Sequence, residues 1–496
     1  MTRYEGWLKS KESLVIHFCR FIMLHIPLLR AGQPYKSLDT TTVRHFQTGE
    51  PVAQVSQANR GLIAKDLSRS AEYQRKLQAH SIADLLAMCA KAAENFVQAD
   101  LPLDGMTQSP SDYVRQLSAT TGMPEALCRR NMGKIESVLK QMASILSGLT
   151  RGLDLGILDH GWGVQDDHHL SFSCATQALG AILPSNSPGV HSLWLPAIPL
   201  KVPVVLKPGR EEPWTPYRIA QAFIAAGCPA EAFCYYPSDH GGATEILLRC
   251  NRAMFFGDQS SVQAWAGDPR VEIHGPGWSK VLIAEDKIEE WEKYIDLIVT
   301  SIVENGGRSC LNASGVWVPK YGREIAEALA QRLAKIEARA MHDPEAKIAA
   351  FTNKKFAARI NDMIDRQLQT PGAEDLTAKY RGNDRLIEKD GCTFLLPTLV
   401  HCEDAEHPLA NVEFLFPFAS VVEAPQSEML KRIGSTLVLT AITEDEAFIQ
   451  SLFASPHVDR LNVGPIPTNR VSWDQPHEGN LFEHLYRRRA LQVNGI

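Results

Sequence analysis

The stretch ENGGRSCLNASGVWVP, Glu304 to Pro319, sets a thiol in a glycine-flanked loop just ahead of a run that reads as a buried strand. A cysteine becomes a nucleophile when it is exposed and nearby donors or positive charge stabilise its thiolate. Cys310 has such neighbours in the backbone N–H groups freed by Gly306 and Gly307, and in Arg308. Free cysteine is also among the most buried residue types, so on local features packing is a competing reading. A second cluster, Asp166 to His169 (DDHH), carries metal-ligating types. Adjacent strand residues point to opposite faces and share one ion poorly, so no metal site is expected there.

The elements that position these residues belong to an ordinary globular chain. Its 496 residues are 44% hydrophobic and 22% charged, enough for about two or three domains with sizeable cores. A formal charge of -6 with mixed signs leaves no basic stripe, which argues against nucleic acid and for small molecules as partners. The ten cysteines show no CxxC pairing, so neither a zinc site nor a disulfide framework is indicated and a cytoplasmic location is expected. The apolar run LVIHFCRFIMLHIPLLR is broken by His17, Arg20 and His25. It reads as neither a membrane span nor a signal peptide, and leaves open a helix lying on a surface.

Hydrophobic period divides the rest. Residues 66 to 150 read mainly as helix, with a capping box from Ser81 to Asp84 opening an apolar face that includes Cys89, read as core. From 181, short β-rich runs (AILPS, VPVVLK, AFCYYP, RAMFFG, VEIHG, KVLIAE) alternate with helical segments. One is WTPYRIAQAFIAAG, with Thr215 as N-cap, Pro216 first in the helix and Gly227 past its end. Such alternation predicts a doubly wound parallel sheet with a ligand at the carboxyl ends of its strands, although no GxGxxG follows any of them. A long helix is expected from Ile288 to Val303, stopped by Asn305-Gly306-Gly307. Then come the strand GVWVP, a helix through Ile325, Leu329, Leu333 and Ile336, and a helix near KIAAFTNKKFAARINDMIDRQL.

Asn186 in LPSNSPG, Lys207 in VVLKPG, Glu272 in VEIHGPG, Cys310 in NGGRSC and Glu413 in NVEFLFP follow one another in an order and spacing that resembles the aldehyde dehydrogenase superfamily, nearly continuously from about 172 to 425. The resemblance implies an α/β fold: a Rossmann-like cofactor domain (41-154 and 177-272, with Pro184, Ser185 and Gly257 at the nucleotide), a catalytic domain (273-475) and a small β arm for oligomerisation (155-176 and 476-496). Residues 1-40 precede it as an extension of unknown role. It also implies that Cys310 attacks an aldehyde, that the Asn186 amide and the Cys310 N–H hold the oxyanion, and that Glu272 activates water against the thioester. Lys207 and Glu413 take the positions that bind the two riboses of NAD or NADP, and a homodimer or homotetramer is expected. Each residue keeps a plain alternative: a turn former for Asn186, a solvated strand end for Lys207, an outward strand position for Glu272.

Several positions depart from the family pattern. FFGDQSS puts Asp258 where a serine usually faces the pyrophosphate, which should weaken cofactor binding unless the carboxylate turns away, and the segment from there to Glu272 leaves room for only a brief helix. EFLFPF departs from the usual Glu-Ile-Phe-Gly-Pro. Arg210, three residues after Lys207, stands where a glutamate would repel a 2′-phosphate, so NADP should be accepted beside NAD. The Gly275-Pro276-x-x-Ser279 pattern looks like the long-chain acyl-CoA reductase branch. Three readings follow: an NAD(P)-dependent aldehyde dehydrogenase, an acylating or acyl-CoA-reducing relative, and a binding protein on a decayed scaffold.

Overall fold

The computed structural model describes residues 23–494. The apolar runs form two sheets. In the first, Leu179–Ile182, Val204–Lys207, Phe233–Tyr235, Arg252–Phe256 and Val271–His274 are parallel. Leu179–Ile182 lies between Val204–Lys207 and Arg252–Phe256, so the chain winds out to one side and returns to the other. That reversal is a topological switch point, where doubly wound sheets hold ligands beyond the carboxyl ends. The segments after two strands, Pro184-Ser185-Asn186 and Gly257-Asp258, therefore flank it.

Helices Trp214–Ala225 and His240–Arg249 make two of the crossovers. The first begins two residues earlier than expected, with Pro213 rather than Thr215 at the N-cap. The reason is Glu212, whose carboxylate accepts the Thr215 N–H at 2.8 Å and its hydroxyl at 2.6 Å, filling the helix N-terminus from outside. The Ser81–Asp84 capping box opens Ile82–Gln98 as expected, and Cys89 is fully buried.

The N-terminal expectations change. Residues 24–30, within the run left open as a surface helix, form strands Leu24–Ile26 and Leu28–Arg30, with Ile26, Leu28 and Leu29 buried. Leu28–Arg30 and Gln33–Tyr35 extend the first sheet antiparallel, so residues 24–35 supply strands, with Ile26, Leu28 and Leu29 in the core and Gln33–Tyr35 exposed, where an extension was expected. The remainder of that run, up to residue 22, lies outside the described residues. No helix among those described is long and apolar enough to cross a membrane.

The second sheet runs Ala373–Asp375, Thr398–Cys402, Phe418–Glu423, Gly315–Val318, Lys280–Ile283, Thr436–Ile442, Val458–Val463, parallel except for the first. The link Gly275–Ser279 carries the chain from the carboxyl end of Val271–His274 to the amino end of Lys280–Ile283. Carboxyl ends of one sheet thus meet amino ends of the other. Cys310 precedes Gly315–Val318, the neighbour of Lys280–Ile283, and Glu413 precedes Phe418–Glu423, the next strand over.

The expected Ile288–Val303 helix is instead a 3-10 segment, Ile288–Tyr294, interrupted by non-helical backbone at Glu290, followed from the Tyr294 cap by an α-helix, Ile295–Val303. The helix expected near residues 347 to 368 starts only at Lys354, where Asn353 caps it. Asp166 and Asp167, at φ 50 and 61, turn a hairpin of Trp162–Gln165 and His168–Cys174, and Tyr486–Arg489 adds a third strand.

Candidate active site

The Cys310 loop is shaped by backbone that glycine permits. Asn305, Gly306 and Gly307 all take positive φ (55, 69 and 67). A Cβ on Gly307 would lie 2.3 Å from the Pro417 nitrogen, and one on Gly277 would lie 2.1 Å from the Cys310 carbonyl oxygen. These two close approaches bring the loops preceding three adjacent strands of the second sheet together. Hydrogen bonds lock them: Ser279 Oγ donates to the Cys310 carbonyl at 2.7 Å, Trp278 N–H donates to Glu413 Oε2 at 2.6 Å, and Asn312 spans Ser309, Ser301 and Glu304. From the first sheet, Asn186 Nδ2 donates to the Arg308 carbonyl at 2.8 Å, and Ser187 Oγ accepts from Asn305 at 3.0 Å.

Arg308 does not serve the thiol. Its guanidinium donates to the Thr121 carbonyl at 3.0 Å and the Ala350 carbonyl at 2.6 Å and lies over the Phe351 ring. Cys310 is half-buried, and burial together with the carboxylates of Glu478 and Glu413 pushes its thiol well above the ordinary range.

Glu272 sits mid-strand, and its carboxylate is 2.9 Å from His274 Nε2. The Gly479 backbone covers it so closely that a Cβ there would be 2.4 Å from Oε2. On its other side His274 contacts Glu478 through Nδ1, and its ring stacks on Phe256 at 4.3 Å between centroids. Burial alone would lower His274, but Glu478 and Glu272 overcome it and raise the group to about 10, an imidazolium clamped between two carboxylates. Glu272 in turn stays below its ordinary range, because His274 outweighs the burial that would raise it. The carboxylate brought to the thiol belongs to Glu478: the Cys310 sulfur, a His477 ring nitrogen and a Glu478 oxygen all lie within 4.8 Å of one another. Burial pushes His477 down to about 4.

Glu413 is pushed up to about 7 by burial, against the Trp278 and Gly277 N–H groups that favour its charge, and burial lowers the neighbouring Lys280 to about 7. At the switch point, Lys207 ends its strand with its ammonium in no hydrogen bond or ion pair to any described residue, and burial lowers its pKa against the pull of Glu211 and Asp239. Arg210 is exposed. Glu211 accepts the Ser185 hydroxyl at 2.9 Å, and Gly209 lies so near Pro184 that a Cβ would meet its carbonyl oxygen at 2.6 Å. Gly257 N–H donates to the His274 carbonyl at 3.1 Å. Asp258 caps the short helix Gln259–Val262, accepting from Ser261 N–H at 2.8 Å and from the Ser260 hydroxyl at 2.7 Å, contacts that lower its pKa.

His274, His477 and Glu478 were missed from sequence. His274 follows Glu272 by two residues in a strand, hence shares its face, and that spacing was the one available signal. His477 and Glu478 lie in a loop, DQPHEGN, without periodicity to mark it.

A family model described as the aldehyde dehydrogenase family matches residues 34–436. The chain belongs to that family. Betaine aldehyde dehydrogenase of Vibrio vulnificus is 24% identical over 266 residues, 51% of this chain and 53% of that protein. The chain spans about half the length of the curated relatives it matches. Among solved structures, the aldehyde dehydrogenase KauB from Pseudomonas aeruginosa superposes with a TM-score of 0.77 at 15% identity, covering 95% of this chain and 97% of its own. An aldehyde dehydrogenase from Bacillus cereus, solved as its NAD+ complex, gives 0.75 at 15% identity, covering 95% and 96%. These likenesses are of fold.

Proposed function

We propose that the protein is an NAD(P)-dependent aldehyde dehydrogenase acting through a thiohemiacetal and a thioester on Cys310. The observation that carries this reading is the convergence of the Cys310 loop, Asn186 and the Gly275–Ser279 link where the two sheets face each other. Supporting a cofactor at the first-sheet end, the Lys207 ammonium is without a partner among the described residues and suits a ribose hydroxyl, and exposed Arg210 suits a 2′-phosphate. Bound there, a nicotinamide supplies the hydride acceptor. Cys310 Sγ adds to the carbonyl carbon, and an Asn amide carries two N–H donors, so Asn186 keeps one for the oxyanion while the other holds the Arg308 carbonyl. The hydrolytic form of this reading gives Glu272 the task of activating water against the thioester. The arm is the surface we assign to a cytoplasmic homodimer or homotetramer.

A second reading is supported by the Glu272–His274 contact. With Glu272 engaged there and covered by Gly479, the thioester would pass to an acceptor such as coenzyme A, or form from an acyl donor and be reduced. Nicotinamide absorbance with a panel of aldehydes, NAD or NADP, with and without coenzyme A, separates the two. Turnover without coenzyme A, lost in Cys310→Ala by about 10⁴-fold or more, supports the hydrolytic dehydrogenase. Turnover only with coenzyme A supports the acylating one, and absence of turnover and of cofactor binding would leave the decayed scaffold.

A further inference from the structure

We propose that His477 is the proton acceptor for the Cys310 thiol and that Glu478 positions it. The proposal deepens the reading of Cys310 as nucleophile and rests on it. The charges that act most strongly on the sulfur are the carboxylates of Glu478 and Glu413, Arg308 faces away from it, and the His274 imidazolium is held between Glu272 and Glu478, so a free thiolate has no uncompensated cation among these neighbours. A neutral imidazole meets that need, because the charge is created only as the proton moves.

His477 is placed for it. Its ring nitrogen lies within 4.8 Å of both the sulfur and a Glu478 oxygen, a reach that a small side-chain rotation or one bridging water closes. Nε2 is 3.5 Å from Glu478 Oε2, so an imidazolium formed there faces a carboxylate. Nδ1 is buried with no hydrogen-bond partner among the described residues. The ring is held by its neighbours, with Trp473 6.2 Å and His274 6.3 Å away between centroids. In the step, the Sγ–H bond breaks and its proton goes to the imidazole. The sulfur electron pair forms the C–S bond as the carbonyl π pair moves onto oxygen. Besides Cys310, the charged groups facing His477 are Glu478, His274, Arg460 and Glu272. Burial keeps the resting imidazole neutral, as an acceptor must be.

The test reads the thiol without substrate: iodoacetamide alkylation of the full chain, with Cys310 followed by peptide mass spectrometry across pH. We expect the wild-type thiol to react at about pH 7, His477→Gln to slow it at least about tenfold there and move its rise above about pH 9, and added imidazole to restore part of the rate in His477→Ala. Glu478→Gln should have a smaller effect in the same direction. His477→Asn serves if the Gln variant does not fold. A His477→Gln protein that alkylates at the wild-type rate and pH profile overturns the proposal, as does a wild-type thiol that reacts only above about pH 9. Cys310-dependent aldehyde turnover retained in His477→Gln also overturns it and leaves the dehydrogenase reading standing. The expected alkylation pattern with no aldehyde turnover fails that reading and keeps the pair.

Discussion

The two sides of the cleft handle charge in opposite ways. On the thiol side, buried charges compensate one another: His274 lies between Glu272 and Glu478, and Glu413 faces Lys280. At the carboxyl ends of the first sheet, Lys207 has no partner among the described residues, Arg210 is exposed and Asp258 occupies a helix end. A network that satisfies itself fixes geometry before any ligand arrives. Charges left open store affinity for a ligand at the expense of the empty protein. Substitutions should therefore act on stability on the first side and on binding on the second.

His274→Leu should show the largest effect. It strands two buried carboxylates, a loss of about 3–5 kcal/mol of unfolding free energy in a denaturant titration. The same group predicts a pH dependence. Its pKa is raised from 6.5 to about 10 in the folded protein, so its contribution is whole at pH below the unfolded value and is lost as pH climbs through the folded one. Wild-type stability should decline over that window and the variant should not follow it. Equal denaturation midpoints for the two proteins would break the contrast between the sides.

Lys207→Met tests the other side and should split the two readouts. Cofactor binding in a calorimeter should weaken about tenfold, near 1.4 kcal/mol. Stability of the empty protein should rise by about 0.5–1 kcal/mol, because an unpaired, largely buried ammonium gives way to an apolar chain of similar length. A variant that loses stability without losing affinity would mean that Lys207 belongs to the structural class.

The same division governs what was legible in the sequence. The strands VPVVLK and RAMFFG, the Ser81–Asp84 cap and the glycine stop before Arg308 are local patterns, and each appears where expected. Cys310, Asn186 and Lys207 lie at ends of such elements, so motif order was enough to nominate them. Arg308 was read from its nearness in sequence to Cys310, yet its side chain crosses to Thr121 and Ala350, partners that no local window contains. The thiol's neighbours His477 and Glu478 arrive from a distant loop, and Glu272 finds its partner in His274. Burial and long-range charge pairing bring the distant loop in and leave no spacing to read, whereas the Glu272–His274 pair could be read from its two-residue strand spacing.

Asp258 sharpens the comparison at its smallest scale. As an N-cap it is a structural residue, and in the function proposed above its carboxylate, at the end of Arg252–Phe256, would meet the cofactor's pyrophosphate. Serine caps about as well as aspartate, so Asp258→Ser should change stability by only a few tenths of a kcal/mol. It removes a negative charge from a solvent-exposed site, where screening limits the gain to about 0.5–1 kcal/mol, a two- to fivefold tighter cofactor. The gain should shrink as salt is raised, since an exposed charge acts through screened solvent. Calorimetry with NAD at low and high salt checks this. Unchanged affinity would mean that the carboxylate, held by Ser260 and Ser261, points away from the phosphates, and that this corner of the cofactor side is built on the self-satisfied plan of the thiol side.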